Sequence, residues 1–393
     1  MRRLTHALPP LAACALLFAA AAVRAEDAPP AAAPLPAPVA TPAAETAPRR
    51  AVDLVVCLDT SGSMQNLIES AKQNIWAVVN DLALVRPQPH LRVALLTYGN
   101  DGHDPAAGWV RVETDLTEDL DLVSERLFAL STNGGTELVA RVLRRAHDAL
   151  AWSAEQDALR LLVVAGNESA DQDQEVAYAD ACAALATRGV LVDALYCGAV
   201  GDEIAPGWQD VAKRGEGRFA AIEHGAPPRV IETPHDAALA RLSTELNGTY
   251  IPYGAAGAAG AANQIAQDCN AGGLNGAAAA SRAGTKASCN YRCAWDLVDA
   301  LAADATLDLA KIPAEELPEA MREMDADARR AHVDHARSER ARIRKEIEAL
   351  TARRDAYVAA ERAKDAALAP TFESELLRSV REQAAAHGFT FAK

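Results

Sequence analysis

Asp59-Thr60-Ser61-Gly62-Ser63 follows directly on the apolar run Val52-Asp53-Leu54-Val55-Val56-Cys57-Leu58 and precedes an amphipathic stretch. That pattern predicts a strand, a tight turn and a helix, in that order. Asp59, Ser61 and Ser63 alternate at spacing two along the turn, so an extended backbone aims three short oxygen side chains to one side. A hard cation such as Mg2+ takes about six oxygen ligands at about 2.0 to 2.1 Å and keeps several waters. One carboxylate and two hydroxyls would leave positions open. The same residues also suit a plain helix start, because Asp and Ser cap helix N-termini.

A second motif adds to the first. Asn133-Gly134-Gly135-Thr136-Glu137 lies between two expected helices and offers another hydroxyl on a loop whose glycines permit close backbone approach. With both motifs in hand, the chain resembles the von Willebrand factor A domain family, whose metal-ion-dependent adhesion site combines an Asp-x-Ser-x-Ser turn, a Thr from a second loop and an Asp from a third. The resemblance implies a metal site of Asp59, Ser61, Ser63 and Thr136 holding Mg2+ or Mn2+, with Ca2+ an alternative, and a protein partner whose Asp or Glu completes the shell. The third loop departs from the pattern, because Ala165 and Gly166 stand where the family usually has Thr-Asp. Asn167, Glu168 or Asp171 would have to replace the missing acid, directly or through a water. The Gly166-Asn167-Glu168 variant, together with a tail carrying Asn263-Gln264 and Trp295-Asp296-Leu297-Val298-Asp299, is similar to a group of exported bacterial proteins of this family.

Strand and helix patterns alternate from residue 51 onward. A helix is expected over 66–84, strands at 91–98 and 109–113, helices near 120–129 and after Thr136, a strand at 159–164, a helix near 176–187 and a strand at 190–196. A further strand at 217–222 and a closing helix at 237–246 complete an α/β, doubly wound, Rossmann-like domain with a mainly parallel sheet. Ligands of open parallel sheets bind outside the carboxyl ends of the strands. The turn after Tyr98 falls at that end, which makes Asn100, Asp101 and His103 a partner-binding rim; a polar hairpin connection is the alternative.

Met1-Arg2-Arg3, the apolar stretch 11–23 and the small residues before Ala25 read as a secretory signal peptide. Leu11-Ala12-Ala13-Cys14 offers lipidation as an alternative, and otherwise a periplasmic or secreted location follows. Residues 26–50, almost all Ala, Pro and Thr, read as a tether. Loss of Arg2, Arg3 and Arg24 with the leader would take the formal net charge from -15 to -18. Such a polyanion argues against nucleic acid as a partner. No later stretch has the roughly 18 to 20 apolar residues of a membrane span.

The domain is assigned to 51–253, and an all-α region to 254–393. Small residues at 254–260 read as a hinge, Ala-rich helices follow with a break near Gly272 and Gly273, and 315–362 is charged and helical. Ile343, Ile347, Leu350 and Tyr357 approach heptad spacing, but Arg354 interrupts it. Such a helix either folds back on its neighbours or supports a homo-oligomer. Cys289 and Cys293, read as one helical turn apart, could each pair with Cys269; a metal cluster of the three is the weaker alternative.

A catalytic reading would need Ser61 or Ser63 with His103 or His224, yet neither a Gly-x-Ser-x-Gly elbow nor a phosphate-binding loop occurs. His332 and His335 fall in the charged helix and read as solvated. The expectation is therefore a non-enzymatic binding protein. Its alternatives are a structural protein with a metal-free domain and assembly through the tail, or a metal-dependent hydrolase.

Overall fold

The strand read from Val52-Asp53-Leu54-Val55-Val56 is the centre of a six-stranded sheet. In this computed structural model, residues 49–222, 230–364 and 371–391 are described. The leader, Cys14, most of the Ala/Pro-rich stretch, His224 and Pro370 lie outside them. In chain order the main elements are β1 (Arg50–Asp59), α1 (Gln65–Ala83), β2 (Val85–Arg86), β3 (Pro89–Tyr98), β4 (Val110–Thr117), α2 (Leu120–Phe128), α3 (Val139–Ala149), β5 (Leu159–Gly166), α4 (Tyr178–Ala186), β6 (Val190–Cys197), α5 (Ala205–Arg214) and β7 (Glu216–Ile222). The helical region follows as α6 (Asp236–Asn247), α7 (Gly257–Leu274), α8 (Gly276–Ala287), α9 (Leu297–Ala303), α10 (Glu319–Arg322), α11 (Ala326–Lys364) and α12 (Phe372–Ala386), closed by β8 (Thr390–Phe391).

The sheet runs β4-β3-β1-β5-β6-β7, and only β4 is antiparallel to its neighbour. After β1 the chain builds β3 and β4 to one side, then crosses to build β5, β6 and β7 on the other. The carboxyl end of β1 is therefore the switch point of the sheet, the usual place for a ligand in such folds. Tyr98 lies opposite Asp59 in register, and Ala165 opposite Leu58, so the ends of β3 and β5 flank the Asp59 turn.

Strand alternation divides the core between two faces. Val52, Leu54, Val56 and Leu58 point toward α1 and the C-terminal helices, while Val55 and Cys57 point toward α3, α4 and α5. Phe372, Leu376 and Val380 of α12 pack into the first face. The helix α12 thus covers a sheet built from residues 50–222. Asp193, fully buried on β6, accepts hydrogen bonds there from Ser379 Oγ and from Gln383 Nε2 at 3.3 Å. The short pair of β2 and β8 ties the end of the chain beside α1.

Several sequence expectations change in the helical region. The small-residue hinge is in part the first turn of α7, where Gly260 lies against the Trp295 indole so closely that no Cβ would fit. The break between α7 and α8 falls at Asn275, whose side chain caps α8 by accepting from the Ala278 amide. Residues 288–296 are not helical, so Cys289 and Cys293 are not one helical turn apart. Cys269, Cys289 and Cys293 are free thiols, with Cys269 exposed on α7 and Cys293 buried. Ile343 and Ile347 are buried within the chain's own core, and Arg354 pairs with Asp236 at 3.0 Å and donates to the Ala277 carbonyl. The residue that interrupts the heptad is an anchor to α6 and α8.

Buried charge joins the helical region to the sheet's layers. Arg282 of α8 lies 2.6 Å from Asp121 of α2 and 3.0 Å from Asp268 of α7, with its guanidinium over the Trp76 ring. Breaking such a pair strands a charge in a low-dielectric interior, whereas exposed pairs contribute little. Arg282→Leu is expected to lower the free energy of unfolding by about 3 to 5 kcal/mol. Arg342→Ala, which removes exposed pairs to Glu339 and Glu346, is expected to leave the urea midpoint nearly unchanged. Urea titration of the two variants checks the contrast.

Candidate functional site

The turn after β1 is held by backbone bonds to both neighbouring loops. Thr60 donates its amide to the Tyr98 carbonyl at 2.8 Å, Asn133 donates to the Thr60 carbonyl at 3.0 Å, and Gly62 donates to the Gly134 carbonyl at 3.0 Å. Gly99 and Thr136 form an isolated bridge, so the second loop lies across the end of β3. Gly134 has φ +82° and sits so close to Asp101 that a side chain there would collide. Gly134 is thus required by left-handed backbone and close approach, whereas Gly135 has room for a side chain.

Within this frame, Asp59 is fully buried and its Oδ1 accepts from the Ser61 amide at 2.7 Å. The hydroxyl oxygens of Ser61 and Ser63 are 3.2 Å apart, close to the edge of about 3 Å expected between neighbouring ligands of an octahedron with bonds of about 2.1 Å. Asn167 Nδ2 donates to Ser63 Oγ at 3.2 Å. The structure therefore brings together Asp59, Ser61, Ser63 and Asn167, with Thr136 on the adjoining bridge. Glu168 is exposed, and its carboxylate accepts from Gln172 Nε2 at 3.4 Å.

Glu137 also belongs to this group, although only Thr136 of its motif was singled out from the sequence. It is 5% exposed and lies beside Asp59 across Gly99. Neither Asp59 Oδ2 nor Glu137 Oε2 meets a donor from the chain. Burial raises both acids, Asp59 to about 6 against the opposing pull of the Ser61 hydrogen bonds, and Glu137 to about 8 with the negative charge of Asp59 adding to the shift. Two carboxylates in one dry pocket cannot both ionise without a proton or a cation between them.

The end of β5 explains the missing third-loop acid. A Cβ on Gly166 would strike the Tyr98 hydroxyl, which donates to the Ala165 carbonyl at 3.0 Å, and would lie 3.2 Å from Asp59 Oδ2. No side chain fits at that position while Tyr98 bridges β3 to β5. The proposed rim also shrinks. Asn100 is 7% exposed, with Nδ2 donating to the carbonyls of Thr60 and Ser131; His103 is 5% exposed between Thr97 and Arg111, where burial and then the Arg111 charge lower its pKa. Both are internal fasteners, and of the three only Asp101 is exposed. Among the described residues, no three His, Cys, Asp or Glu side chains are grouped to hold a metal. Any cation here would need the serine hydroxyls.

Residues 53–203 match the family model for the von Willebrand factor type A domain. The chain carries an A domain. No curated protein matches the chain. Among solved structures, proximal thread matrix protein 1 from the mussel byssus, in a form with a zinc-occupied MIDAS motif, is 12% identical with a TM-score of 0.34, over 44% of this chain and 42% of that one. A von Willebrand factor type A protein from Catenulispora acidiphila is 17% identical with a TM-score of 0.34, over 44% and 39%. An aerotolerance-related membrane protein from Bacteroides fragilis is 15% identical with a TM-score of 0.30, over 44% and 92%. The chain spans about two fifths of the mussel protein.

The fit of Gly166 in this A domain is open to measurement. Gly166→Ala forces the Tyr98 hydroxyl aside and is expected to destabilise the protein by about 1 to 3 kcal/mol, the usual penalty of overpacking. Tyr98→Phe in the same chain is expected to restore part of that loss in thermal denaturation.

Proposed function

We propose that this protein is an exported interaction module whose A domain binds a divalent cation, Mg2+ or Mn2+, through Asp59, Ser61, Ser63 and Thr136, and that the cation receives an Asp or Glu of a protein partner. A domains are protein-interaction folds. One observation carries the cation reading: the fully buried Asp59 keeps Oδ2 without a donor beside two serine hydroxyls at ligand-like spacing. The donor set is all oxygen, as a hard cation prefers. When bound, such an ion supplies a fixed positive charge at the switch point of the sheet. Asp59 would hold it, Ser61 and Ser63 would add neutral oxygens, and Asn167 orients Ser63.

Export rests on the leader read from the sequence. Among the described residues, no helix is long and apolar enough to cross a membrane. The serines are accounted for as ligands, and His103, the described histidine considered as their base, is bonded instead to Thr97 and Arg111. This favours binding over hydrolysis.

Calorimetric titration of Mg2+ and Mn2+ into the full mature chain tests the reading, with Asp59→Ala as the control. Saturable one-site binding that the variant loses is the expected result. A well-folded wild type that takes up neither ion would sink it.

Acidity supplies a second measurement. Asp59 and Glu137 have folded pKa values raised above their unfolded ones, so the metal-free fold holds extra protons and loses stability as pH rises through about 6 and about 8. A cation on Asp59 needs that carboxylate ionised and favours ionisation of its acidic neighbour, so its affinity is expected to rise with pH and its binding to release protons. The gain in Tm on adding Mg2+ should therefore be larger at pH 8 than at pH 5.5, and calorimetry in buffers of different ionisation enthalpy should report the released protons.

A further inference from the structure

We propose that Glu137 is the second carboxylate of this site, supplied by the second loop in place of the acid that the third loop cannot carry. The inference rests on the cation reading above and adds a ligand to it. Three observations converge on Glu137. The third-loop position is closed, because Gly166 packs against Tyr98 and Asp59 with no space for a Cβ. The remaining third-loop candidates are poorly suited: Asn167 is uncharged, and Glu168 is exposed with its carboxylate on Gln172. Glu137 is more than nine-tenths buried, lies beside Asp59 across Gly99, and its Oε2 has no donor from the chain.

The backbone makes this placement firm. Thr136 is pinned to Gly99 by the isolated bridge, and Gly99 has φ +80°. A Cβ there would lie 2.8 Å from Asp59 Oδ1 and 3.0 Å from Glu137 Cγ. Gly99 is thus the spacer that lets the two acids close over the end of β3. Asp59 and Glu137 together match the charge of a divalent cation, so the ion would be held by this chain before any partner arrives.

The test is Mn2+ binding to the full mature chain, followed by calorimetry and by the Mn2+-dependent rise in Tm, for wild type, Asp59→Ala, Glu137→Gln and Glu168→Gln. Glu137→Gln is expected to weaken binding by about 10- to 100-fold, the range seen when groups that tune a metal site are removed. The same variant should keep the wild-type Tm in chelator within a few degrees, which separates loss of a ligand from loss of the fold. Glu168→Gln should weaken binding far less than Glu137→Gln. Glu137→Met, similar in volume, replaces the glutamine variant if that one does not fold. Wild-type affinity in both Glu137 variants, with binding lost in Asp59→Ala, would overturn the role of Glu137 and leave the cation reading standing. Wild type that binds no Mn2+ would overturn both.

Discussion

The geometry at the head of the sheet depends on one constraint, the burial of the Asp59 carboxylate at the carboxyl end of the central strand. Strands on both sides must make room for it. On β3 the chain turns at Gly99, and on β5 it ends at Gly166; a Cβ at either place would press on Asp59 or its neighbours. Tyr98 then spans from one flank to the other, its hydroxyl on the Ala165 carbonyl. A small residue on β5 and a large one on β3 are two halves of one packing solution. The absence of a third-loop acid follows from that packing, and it does not by itself mark a decayed site.

The helical region completes the sandwich that the sheet begins. α1 leads directly out of the Ser63 turn and packs against α2, α8 and α12. Its inner side chains, Ile68, Trp76 and Val79 among them, share one core with α8, α11 and α12. Residues Ala47–Lys393 accordingly form one compact unit. The element that starts at the candidate metal turn is the one most embedded in the tail, so the position of the serines is linked to the packing of helices far along the chain. Buried apolar surface of this kind is the dominant favourable term in folding.

Much of this was legible from residue patterns alone. The parallel strands announced themselves as near-continuous apolar runs, which is what burial on both faces requires. The helix α5 was not among the expected elements, although Pro206 lies in its first turn, where a proline is well suited to a helix start. Asn100 and His103 looked like rim residues because they are polar and lie at the right end of the sheet. Their burial depends on carbonyls of Thr60 and Ser131 and on the Thr97 hydroxyl, partners that only the fold brings within reach. Glu137 was in view within the second motif, but the turn at Gly99 that buries it leaves no periodic trace. Cys289 and Cys293 were misplaced for a similar reason, since spacing four suggests a helix wherever no strong breaker intervenes.

The way this fold treats its other buried acids sets Asp59 and Glu137 apart. Asp53, wholly buried on β1, accepts two bonds from the Arg92 guanidinium. Asp296 is matched by Arg340, and Asp121 by Arg282 and the Tyr291 hydroxyl. Asp193, without a buried cation, collects donors from Ser379, Gln383 and the Arg218 amide. An interior carboxylate is tolerable when countercharge or several donors replace the water it has lost. Asp59 takes one amide and the Ser61 hydroxyl, and then faces another acid across the pocket. A sequence that supplies partners for every one of these acids except the pair at the switch point leaves that pair to a proton or to an ion from outside. Ser61 and Ser63 stand beside that pair with neutral oxygens of the kind a hard cation prefers.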